Sequence, residues 1–492
     1  MEQIEFFTAK NNSLSCRING TLLHSGYNPE SEAEKNVLSM NVSFLPKYIL
    51  MPEPCLSYTA PFFRKKFPSA KLCAVRFCNA FNEYNINFDK IINFYDPNKI
   101  AALETELSAY FGESGILYCQ FAPWNPSARV FQKHSENLWL CIKKLVNISQ
   151  SVLNTNGFFS KRWIKNTAAF LKYIKKTAVI KRGSSDILIT ASGMSLASSI
   201  YEIKKIREKV FLIAVSSSLK PLLANNIIPD LVISTDGGYW AKAHLSELCR
   251  HKEIPIALSA ESNCPKTILE NNTIIPLFYP DGISARLLSA LNVHSVTAER
   301  NGTVSGTAAS LAMNITSGNI YFCGLDLAPG SGFQHTAPNE LEIKNSASDN
   351  RLCSLETRQT RSRFSSASLK IYEDWFVSKS NNFSGRFFRL SKNYSYSNRL
   401  GKIHDIDFSD LSLNENKPDF PKITAENSSF LHLSEIKEKI TKIASTEEFI
   451  KECFPIEYLS YERELESDKK AEILKEIKTK NQNFSQKILK TL

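Results

Sequence analysis

The sequence predicts an α/β protein built around a mostly parallel, Rossmann-like sheet with helices on both faces. Short apolar strands alternate with helical patterns between residues 186 and 330. Such uninterrupted apolar strands are typical of parallel sheets that are buried on both sides. We therefore predict three regions, namely an N-terminal α/β domain at residues 1–150, a central Rossmann-like domain at 151–400 and a helical C-terminal region at 401–492.

Length and charge agree with this organisation. A chain of 492 residues corresponds to about three domains. The net charge of +11 is spread over short basic runs, which favours an ordinary solvated surface. The alternative is that the basic residues bind an anionic ligand such as a nucleotide. Nucleic acid is not an expected partner, because no basic stripe is interleaved with aromatic residues.

The cysteines indicate the compartment. There are eleven, none forms a CxxC pair, and most lie in apolar surroundings. We expect reduced, buried thiols and a cytoplasmic location. The first ten residues, MEQIEFFTAK, do not have the pattern of a signal peptide, and no run of 18 apolar residues predicts insertion into a membrane.

The elements follow in order along the chain. Residues 148–160, ISQSVLNTNGFFS, are polar and are interpreted as a connection, and residues 161–177 as a helix with apolar residues at helical spacing. Residues 337–367 predict a long mobile loop, and residues 433–492 two or three amphipathic helices. Between the helix at 161–177 and the loop at 337–367, strands are predicted at 186–190, 210–215, 228–235, 254–259, 273–278 and 319–324. Helices are predicted at about 195–207, 217–225 and 303–314.

The residues that follow these strands are the site candidates. Ligands of open parallel sheets bind beyond the carboxyl ends of the strands. The polar and small residues at these positions are Ser192, Gly193, Ser195, Ser216, Ser217, Asp236, Ser259, Gly324 and Asp326.

The first strand ends in a small-residue turn, ILITASGMSL at residues 187–196. Gly193 allows a ligand to approach the backbone, and the helix from Ser195 points its N–H groups at an anion. The Ser195 hydroxyl can cap the helix or contact a phosphate. The turn is neither a Walker loop nor a three-glycine dinucleotide fingerprint, and an ordinary strand-to-helix turn remains an alternative.

The second candidate is STDGG at residues 234–238. Asp236 can bind a ribose hydroxyl or a metal, or accept a proton, and Gly237 allows close approach of a ligand. A capped turn explains the same residues. Tyr239 and Trp240 suit stacking on a base, and they suit a core equally well.

The third candidate is NGTVSGTAASLAMNITSGNIYFCGLDLA at residues 301–328. Small residues around Thr303 and Ser305 allow the start of a helix to pack closely against a neighbouring group. The strand that follows ends at Gly324 and Asp326. His335 stands nine residues beyond Asp326. A single histidine is more often structural than catalytic, but a loop histidine near a strand-end aspartate is a better candidate.

Together these stretches resemble the motility-associated factor (Maf) family of flagellin glycosyltransferases. LHSGYNPESEAEK at 23–35, the unit from ILITASGMSL to VISTD, and TVSGTAASLAMNITSGNIYFCGLDLA followed by His335 match three family segments in the same order. The central domain is also similar to the archaeal 6-hydroxymethylpterin diphosphokinase MptE and, in outline, to bacterial sialyltransferases.

The resemblance implies transfer of a nonulosonic (sialic-acid-like) sugar from a CMP-linked donor to Ser or Thr of flagellin. The donor is then the CMP-activated sugar, flagellin is the partner, and a need for Mg²⁺ is left open. The residues carried over by position are Gly193 and Ser195 at the first turn, Ser217 and Asp236 at later strand ends, and Thr303, Ser305, Gly324 and Asp326 around the sugar.

Two departures from the family pattern matter. The family's first glycine and its proline are Ala191 and Met194 in the central turn. In the N-terminal domain, the family's glycine-rich turn corresponds to residues 48–62, YILMPEPCLSYTAPF, which contain no glycine. We therefore expect a degenerate Rossmann-like N-terminal domain that binds no nucleotide and recognises the acceptor or a partner.

Three functions are compared. In a glycosyltransferase, His335 would be the general base, with Asp326 as its orienter or as the rival base. A diphosphokinase would need Mg²⁺ on Asp236 and Asp326, and the N-terminal segment and helical tail argue against it. A flagellar scaffold or chaperone with a degenerate site is the third. The arginines at 351, 358, 361 and 363 lie in the predicted loop, interpreted as a disordered surface segment, with ordering over an anionic donor as the alternative.

Overall fold

The computed structural model describes residues 4–328, 335–352, 354, 367–383, 385–413, 418–426 and 431–492. The chain divides into two compact units, one of residues 1–158 and 453–481, and one of residues 159–452 and 482–492. The predicted fold class is confirmed, because the protein has a large, mostly parallel central sheet, a smaller parallel sheet and a helical C-terminus.

The N-terminal unit contains an antiparallel three-stranded sheet and a parallel four-stranded sheet of order β6-β5-β4-β7. Two apolar cores cover the parallel sheet, which is why its strands read as continuous apolar runs. Its elements are β1 (Ile4–Thr8), β2 (Leu14–Ile18), β3 (Thr21–Leu22), α1 (Pro29–Ser39), β4 (Tyr48–Pro52), α2 (Thr59–Lys66), β5 (Lys71–Arg76), β6 (Lys90–Asn93), α3 (Ile100–Phe111), β7 (Cys119–Phe121), α4 (Asn125–Val130) and the first part of α5 (Gln132–Tyr173).

The central sheet has the order β17-β16-β15-β9-β10-β11-β12-β13-β8-β18, and β14 also pairs with β13. All neighbours are parallel except β8 and β18. The strands are β8 (Thr177–Lys181), β9 (Ile187–Thr190), β10 (Phe211–Val215), β11 (Leu231–Ser234), β12 (Ile256–Ser259), β13 (Ile274–Phe278), β14 (Val296–Thr297), β15 (Ile320–Cys323), β16 (Phe387–Ser391), β17 (His404–Asp407) and β18 (Lys422–Glu426).

The helices of the rest of the chain follow the apolar spacing of the sequence. In α6 the buried residues Leu196, Ser199 and Ile203 lie on one face, at the helical period. The helices are α6 (Ser195–Ile206), α7 (Leu219–Ala224), α8 (Tyr239–His244), α9 (Lys266–Asn271), α10 (Ile283–Ala290), α11 (Val304–Ile315), α12 (Glu340–Ala347), α13 (Ala367–Phe383), α14 (Leu433–Ala444), α15 (Glu447–Cys453), α16 (Pro455–Arg463) and α17 (Ser467–Thr491).

The predicted connection at residues 148–160 is wrong, because these residues lie inside α5, a helix of 42 residues. The small residues Ser149 and Ser160 are fully buried and continue the packed face where apolar residues are missing. A β-carbon on Gly157 would come within 2.7 Å of the Ile456 side chain, so this glycine permits a close contact between α5 and α16.

Two further predictions differ from the structure. Residues 337–367 are not all loop, since they include α12, whereas residues 355–366, with three of the four candidate arginines, lie outside the described residues. The C-terminal region does not form a third unit. Residues up to Glu426 still belong to the central sheet, and the helices that follow are shared between the two units.

Ten cysteines in the described part of the chain are free thiols. Among the described residues, no helix is both long and apolar enough to cross a membrane.

A buried carboxyl group, that of Glu452, lies at the start of α10, and its pKa can be tested. The Ile283 N–H donates to the carboxylate of Glu452 at 2.8 Å. Burial raises the pKa of Glu452 to about 7. The folded state therefore binds the proton more tightly than the unfolded state, so this group's contribution to stability is full below the ordinary glutamate pKa and is lost as the pH rises through 7.

We expect Glu452→Gln to remove this pH dependence. As the pH rises from 5 to 8, the free energy of unfolding of the variant should increase relative to that of the wild type, by up to about 3 kcal/mol. Urea unfolding at several pH values measures the difference. Glu448→Gln is the control, since Glu448 lies on the same helix with a side chain that is 58% exposed. Parallel pH curves for Glu452→Gln and the wild type would contradict the assignment.

Candidate functional site

The candidate site lies where the strand order of the central sheet reverses. From β9 the chain adds β10, β11, β12 and β13 on one side, and later β15, β16 and β17 on the other. Ligands of doubly wound sheets bind at such a switch point, in the crevice beyond the carboxyl ends of the strands. The segments at this point are residues 191–195 after β9 and residues 324–326 after β15, both of which the sequence predicts as site segments.

The two segments approach each other through glycines. The Gly193 N–H donates to the Gly324 carbonyl at 2.8 Å. A β-carbon on Gly193 would lie 2.5 Å from the carboxyl carbon of Asp326, and Gly324 has a φ of +74°. Because both positions exclude a side chain, the backbone turns after β9 and β15 pack directly on each other.

Asp326 ties these turns to α6. One carboxylate oxygen accepts the Ser195 N–H at 2.9 Å, and the other accepts the Ser195 hydroxyl. The side chain is buried, and this burial raises its pKa, while the hydrogen bonds from Ser195 oppose the rise. Asp326 therefore caps the N-terminus of α6 from a position 131 residues away in the chain.

This contact occupies the hydrogen-bond donors that the sequence makes available to a phosphate. The sequence predicts that the N–H groups of the turn point at an anion, and that the Ser195 hydroxyl either caps the helix or contacts a phosphate. In the structure, the Gly193 N–H donates to Gly324, and both Ser195 groups donate to Asp326. The reason is that a carboxylate of the protein already satisfies the helix dipole that an anionic ligand would need.

Hydroxyl groups beside the turn are better placed to contact a ligand. The Ser217 hydroxyl, after β10, donates to the Ser192 hydroxyl at 2.8 Å. Ser217 is partly exposed, and its neighbour Ser216 is buried. The Asn339 amide donates to the Ser217 carbonyl at 3.0 Å, which fixes the turn after β10 to the segment before α12.

His335 lies next to this turn but does not pair with Asp326 as predicted. The following residue, Thr336, donates from its N–H to the Ser192 carbonyl at 2.7 Å and from its hydroxyl to the Gly193 carbonyl at 2.6 Å. The carboxylate nearest the His335 ring is Glu342, with an oxygen 3.5 Å from Nδ1. The Glu342 carboxylate accepts the His335 backbone N–H at 3.1 Å, so Glu342, and not Asp326, is the carboxylate that accompanies this histidine.

A second histidine accompanies this pair. The rings of His335 and His244 are 6.2 Å apart. His244 Nδ1 lies 2.8 Å from a carboxylate oxygen of Glu340, which also pairs with Lys220 at 3.3 Å. The short helix α12 thus supplies carboxylates to both histidines, and sequence reasoning missed it because residues 340–347 are mostly polar.

Tyrosines from the segment after β16 cover Asp326, and the sequence analysis missed them. The hydroxyl of Tyr394 hydrogen-bonds to the Asp326 carboxylate. The Tyr396 hydroxyl donates to the Leu390 carbonyl at 2.6 Å and lies 3.4 Å from the Ser195 hydroxyl. The signal available in the sequence is an arginine inside an apolar strand, FFRLS, followed closely by YSY.

That arginine, Arg389, is fully buried and holds the tyrosine segment in place. It forms an ion pair with Asp405 and donates to Asn398. Its guanidinium carbon lies 3.6 Å from the centre of the Tyr396 ring. Asn398 in turn donates to the Asp326 carbonyl at 2.9 Å, so Arg389 acts on the site through its neighbours.

Asp236 and Gly237 form a separate turn after β11. The exposed Asp236 accepts the Gly238 N–H at 2.8 Å, which is the capped turn considered as an alternative. Gly237 leaves space for Trp163, whose ring would be 2.7 Å from an added β-carbon. Among the described residues, no hydrogen bond joins this turn to Asp326.

Thr303 and Ser305 lie at the start of α11. The Thr303 N–H donates to the Asn301 side chain at 3.0 Å, and Ser305 is buried. Farther along, the small residues Ala308, Ala309 and Ala312 pack into the central core, which explains the small-residue pattern without a ligand. No hydrogen bond within the described part of the chain connects either residue to Asp326.

The ends of β12 and β14 carry a charged group that sequence reasoning also missed. Ser259 ends β12 and is buried, and Glu261, two residues later, pairs with Arg300 through two bonds of 2.9 and 3.0 Å. The Arg300 guanidinium stacks over Tyr279 at 4.2 Å and lies 5.1 Å from the Trp163 ring. In the described residues, no group of three or more His, Cys, Asp or Glu side chains is arranged to hold a metal ion.

Gly193→Ala tests the contact between the two turns. The added methyl group would meet the Asp326 carboxyl carbon and the Gly324 carbonyl, neither of which is the end of a flexible side chain. We expect the free energy of unfolding to fall by about 1–3 kcal/mol in urea titrations. Gly26→Ala is the control, because its β-carbon would meet only Phe7, at 3.9 Å. Equal stability of the two variants would show that the turns are not tightly packed.

Comparison with known proteins agrees with this architecture. Residues 161–331 match the profile of the family described as 6-hydroxymethylpterin diphosphokinase MptE-like. An uncharacterized protein of Treponema pallidum (strain Nichols) is 29% identical over 293 residues, which are 59% of this chain. The matched region spans 64% of the length of that relative.

A solved structure matches nearly the whole chain. The Maf glycosyltransferase of Magnetospirillum magneticum AMB-1 superposes with a TM-score of 0.58, covering 99% of this chain and 91% of that chain, at 12% sequence identity. At 12% sequence identity, this similarity establishes a shared fold only. The chain therefore contains an MptE-like domain within a fold that it shares with the Maf glycosyltransferase.

Proposed function

We propose that the protein is a glycosyltransferase that moves a nonulosonic sugar from a CMP-linked donor to Ser or Thr hydroxyls of flagellin. The observation that carries the proposal is that serine hydroxyls and a histidine lie beyond the strand ends near the switch point between β9 and β15. The fold shared with a Maf glycosyltransferase supports the reaction type. The sugar, the acceptor and a cytoplasmic site of reaction rest on the sequence resemblance and the reduced cysteines.

The donor phosphate would bind at the hydroxyls of Ser192 and Ser217. These hydroxyls lie side by side at the ends of β9 and β10, and each can rotate its hydrogen toward a phosphate oxygen. When the bond to CMP breaks, negative charge grows on the phosphate and positive charge on the sugar carbon. Hydroxyl donors held at these positions would stabilise the charge on the phosphate.

His335 would accept the proton of the acceptor hydroxyl. Its side chain is 22% exposed, so a substrate can reach it, and Glu342 lies beside the ring. An imidazole nitrogen can accept a proton from a hydroxyl group, which suits histidine to general-base catalysis. Asp326 is fully engaged with Ser195 and Tyr394, which makes it a positioning residue that holds the turn.

A diphosphokinase is the second candidate, favoured by the family match at residues 161–331. That reaction would need Mg²⁺ held by Asp236 and Asp326. Asp236 instead accepts the N–H of Gly238, and Asp326 accepts both donors of Ser195. The two carboxylates thus serve different turns, and the glycosyltransferase explains the site with fewer rearrangements. A scaffold with a degenerate site is the third candidate.

Titration of the purified protein with CMP tests the donor site. We expect Ser217→Ala to weaken CMP binding about tenfold or more, because a hydrogen bond to a charged phosphate is lost. Ser198→Ala is the matched control and should leave the affinity unchanged, since Ser198 lies exposed on α6 and donates to the Ser195 carbonyl.

The same titration separates the candidates. Binding of ATP with Mg²⁺ but not of CMP would favour the diphosphokinase. Equal affinity of CMP for the wild type and Ser217→Ala would remove the serine pair from the donor site. A protein that binds neither nucleotide, alone or with flagellin present, would favour the scaffold.

His335→Gln tests the proton acceptor. We expect transfer to flagellin, followed by mass spectrometry with a CMP-linked nonulosonate donor, to fall by about 10²–10⁴-fold while CMP affinity stays within twofold. His404→Gln is the control, because His404 is exposed on β17. Near-normal transfer by His335→Gln would show that His335 is not the proton acceptor.

A further inference from the structure

The turn after β4 in the N-terminal unit has an unusual backbone. Glu53, Cys55 and Ser57 have φ values of +30°, +51° and +63°, although none of them is glycine. Side-chain-bearing residues rarely adopt this left-handed region, because the β-carbon crowds the backbone. Three such residues within five positions persist only where the surrounding structure holds them in place.

The side chain of Glu53 holds this turn. Glu53 is fully buried, and one carboxylate oxygen accepts the Cys55 N–H at 3.1 Å and a guanidinium N–H of Arg76 at 2.9 Å. The other oxygen accepts the Phe77 N–H at 2.6 Å and the Cys78 N–H at 3.1 Å. Four N–H donors from the ends of β4 and β5 therefore converge on one carboxylate, as they do on bound oxyanions.

Arg76 is fixed by the same turn. It is fully buried and donates to the Cys55 carbonyl and the Ser57 hydroxyl, both at 2.8 Å. Its remaining donors reach the Asn85 side chain at 2.8 Å and the Tyr84 carbonyl at 3.1 Å. The positive group is thus rigid and oriented, independently of the carboxylate that it pairs with.

The adjoining crevice is filled by the chain itself. The strand order of this sheet reverses between β4 and β7, which is where a ligand would enter. The buried His24 accepts the Leu56 N–H, from the turn after β4, at 3.2 Å. Its ring packs 5.1 Å from the ring of Trp124, which follows β7, and Trp124 donates to the Leu23 carbonyl at 2.6 Å.

We propose that Glu53 is a built-in anion that permanently occupies an oxyanion site at the end of β4, with His24 filling the neighbouring crevice. The site has the donors of a phosphate or carboxylate site, and its occupant is covalently part of the chain. The N-terminal unit is then closed to nucleotides. This proposal does not depend on the reaction that the central unit performs.

Glu53→Gly in the full chain vacates the site and allows the positive φ. We expect its melting temperature in chloride to fall by about 10 °C, because Arg76 and three N–H groups lose their acceptor in a buried place. Added formate, at constant ionic strength, should restore much of the loss in a saturable manner, and phosphate should do so if the vacated space admits the larger anion.

The controls isolate the site. The wild type and Glu53→Gln should show only the small, non-saturating effect of salt, because their sites stay filled. In Glu53→Gly/Arg76→Met, formate should restore nothing. If Glu53→Gly does not fold in chloride, the refolding yield across a formate series replaces the melting temperature.

Three results would overturn the proposal. The first is a Glu53→Gly protein as stable in chloride as the wild type. The second is a formate response, in melting temperature or refolding yield, that is absent or equal in all variants. The third is a second equivalent of CMP that binds to the wild type and is lost in Arg76→Met. Failure of the wild type to bind any CMP would count against the proposed transferase alone.

Discussion

The contact between Gly193 and the segment Gly324–Asp326 is the constraint on which the central unit depends. It joins the turn after β9 to the turn after β15, the strand added when the order reverses, so both sides of the sheet meet there. Asp326 then fixes the start of α6, and the buried Arg389 supports Asp326 through Asn398 and the tyrosines. A single close approach of two backbone segments, possible only without a β-carbon, therefore fixes the turns after β9 and β15 relative to each other.

The same contact explains why the fold could be predicted better than the site. The apolar runs of β9 to β13 and β15 are local signals, and the structure has them within a few residues of the expected positions. The partner of Ser195 is not a local signal, because Asp326 reaches it across 131 residues. The sequence shows that Ser195 and Asp326 follow strands, but not that they hydrogen-bond to each other.

Other elements were also not predicted because their partners are distant in the sequence. The sequence does not predict the full length of α5, because Ser149 and Ser160 are buried at positions where apolar residues are expected. The helical spacing of apolar residues is therefore weak in this part of the sequence. Residues 340–347 and the segment after β16 are mostly polar, and their roles arise from tertiary partners, namely the two histidines and Asp326. In the N-terminal unit, the lack of glycine in residues 48–62 was visible, whereas the left-handed backbone that non-glycine residues adopt there was not.

The division of the chain into units has a consequence for the order of folding during synthesis. Residues 453–481 belong to the N-terminal unit, although almost 300 residues separate them from Phe158. At about 5–20 residues per second, the ribosome needs tens of seconds to make this intervening stretch. Throughout that interval the first unit lacks α16 and most of α17, so the apolar surface that they cover is exposed on the nascent chain. Chaperones that bind such surfaces would therefore act on the part of the protein that is made first and that lacks its last helices until synthesis is nearly finished.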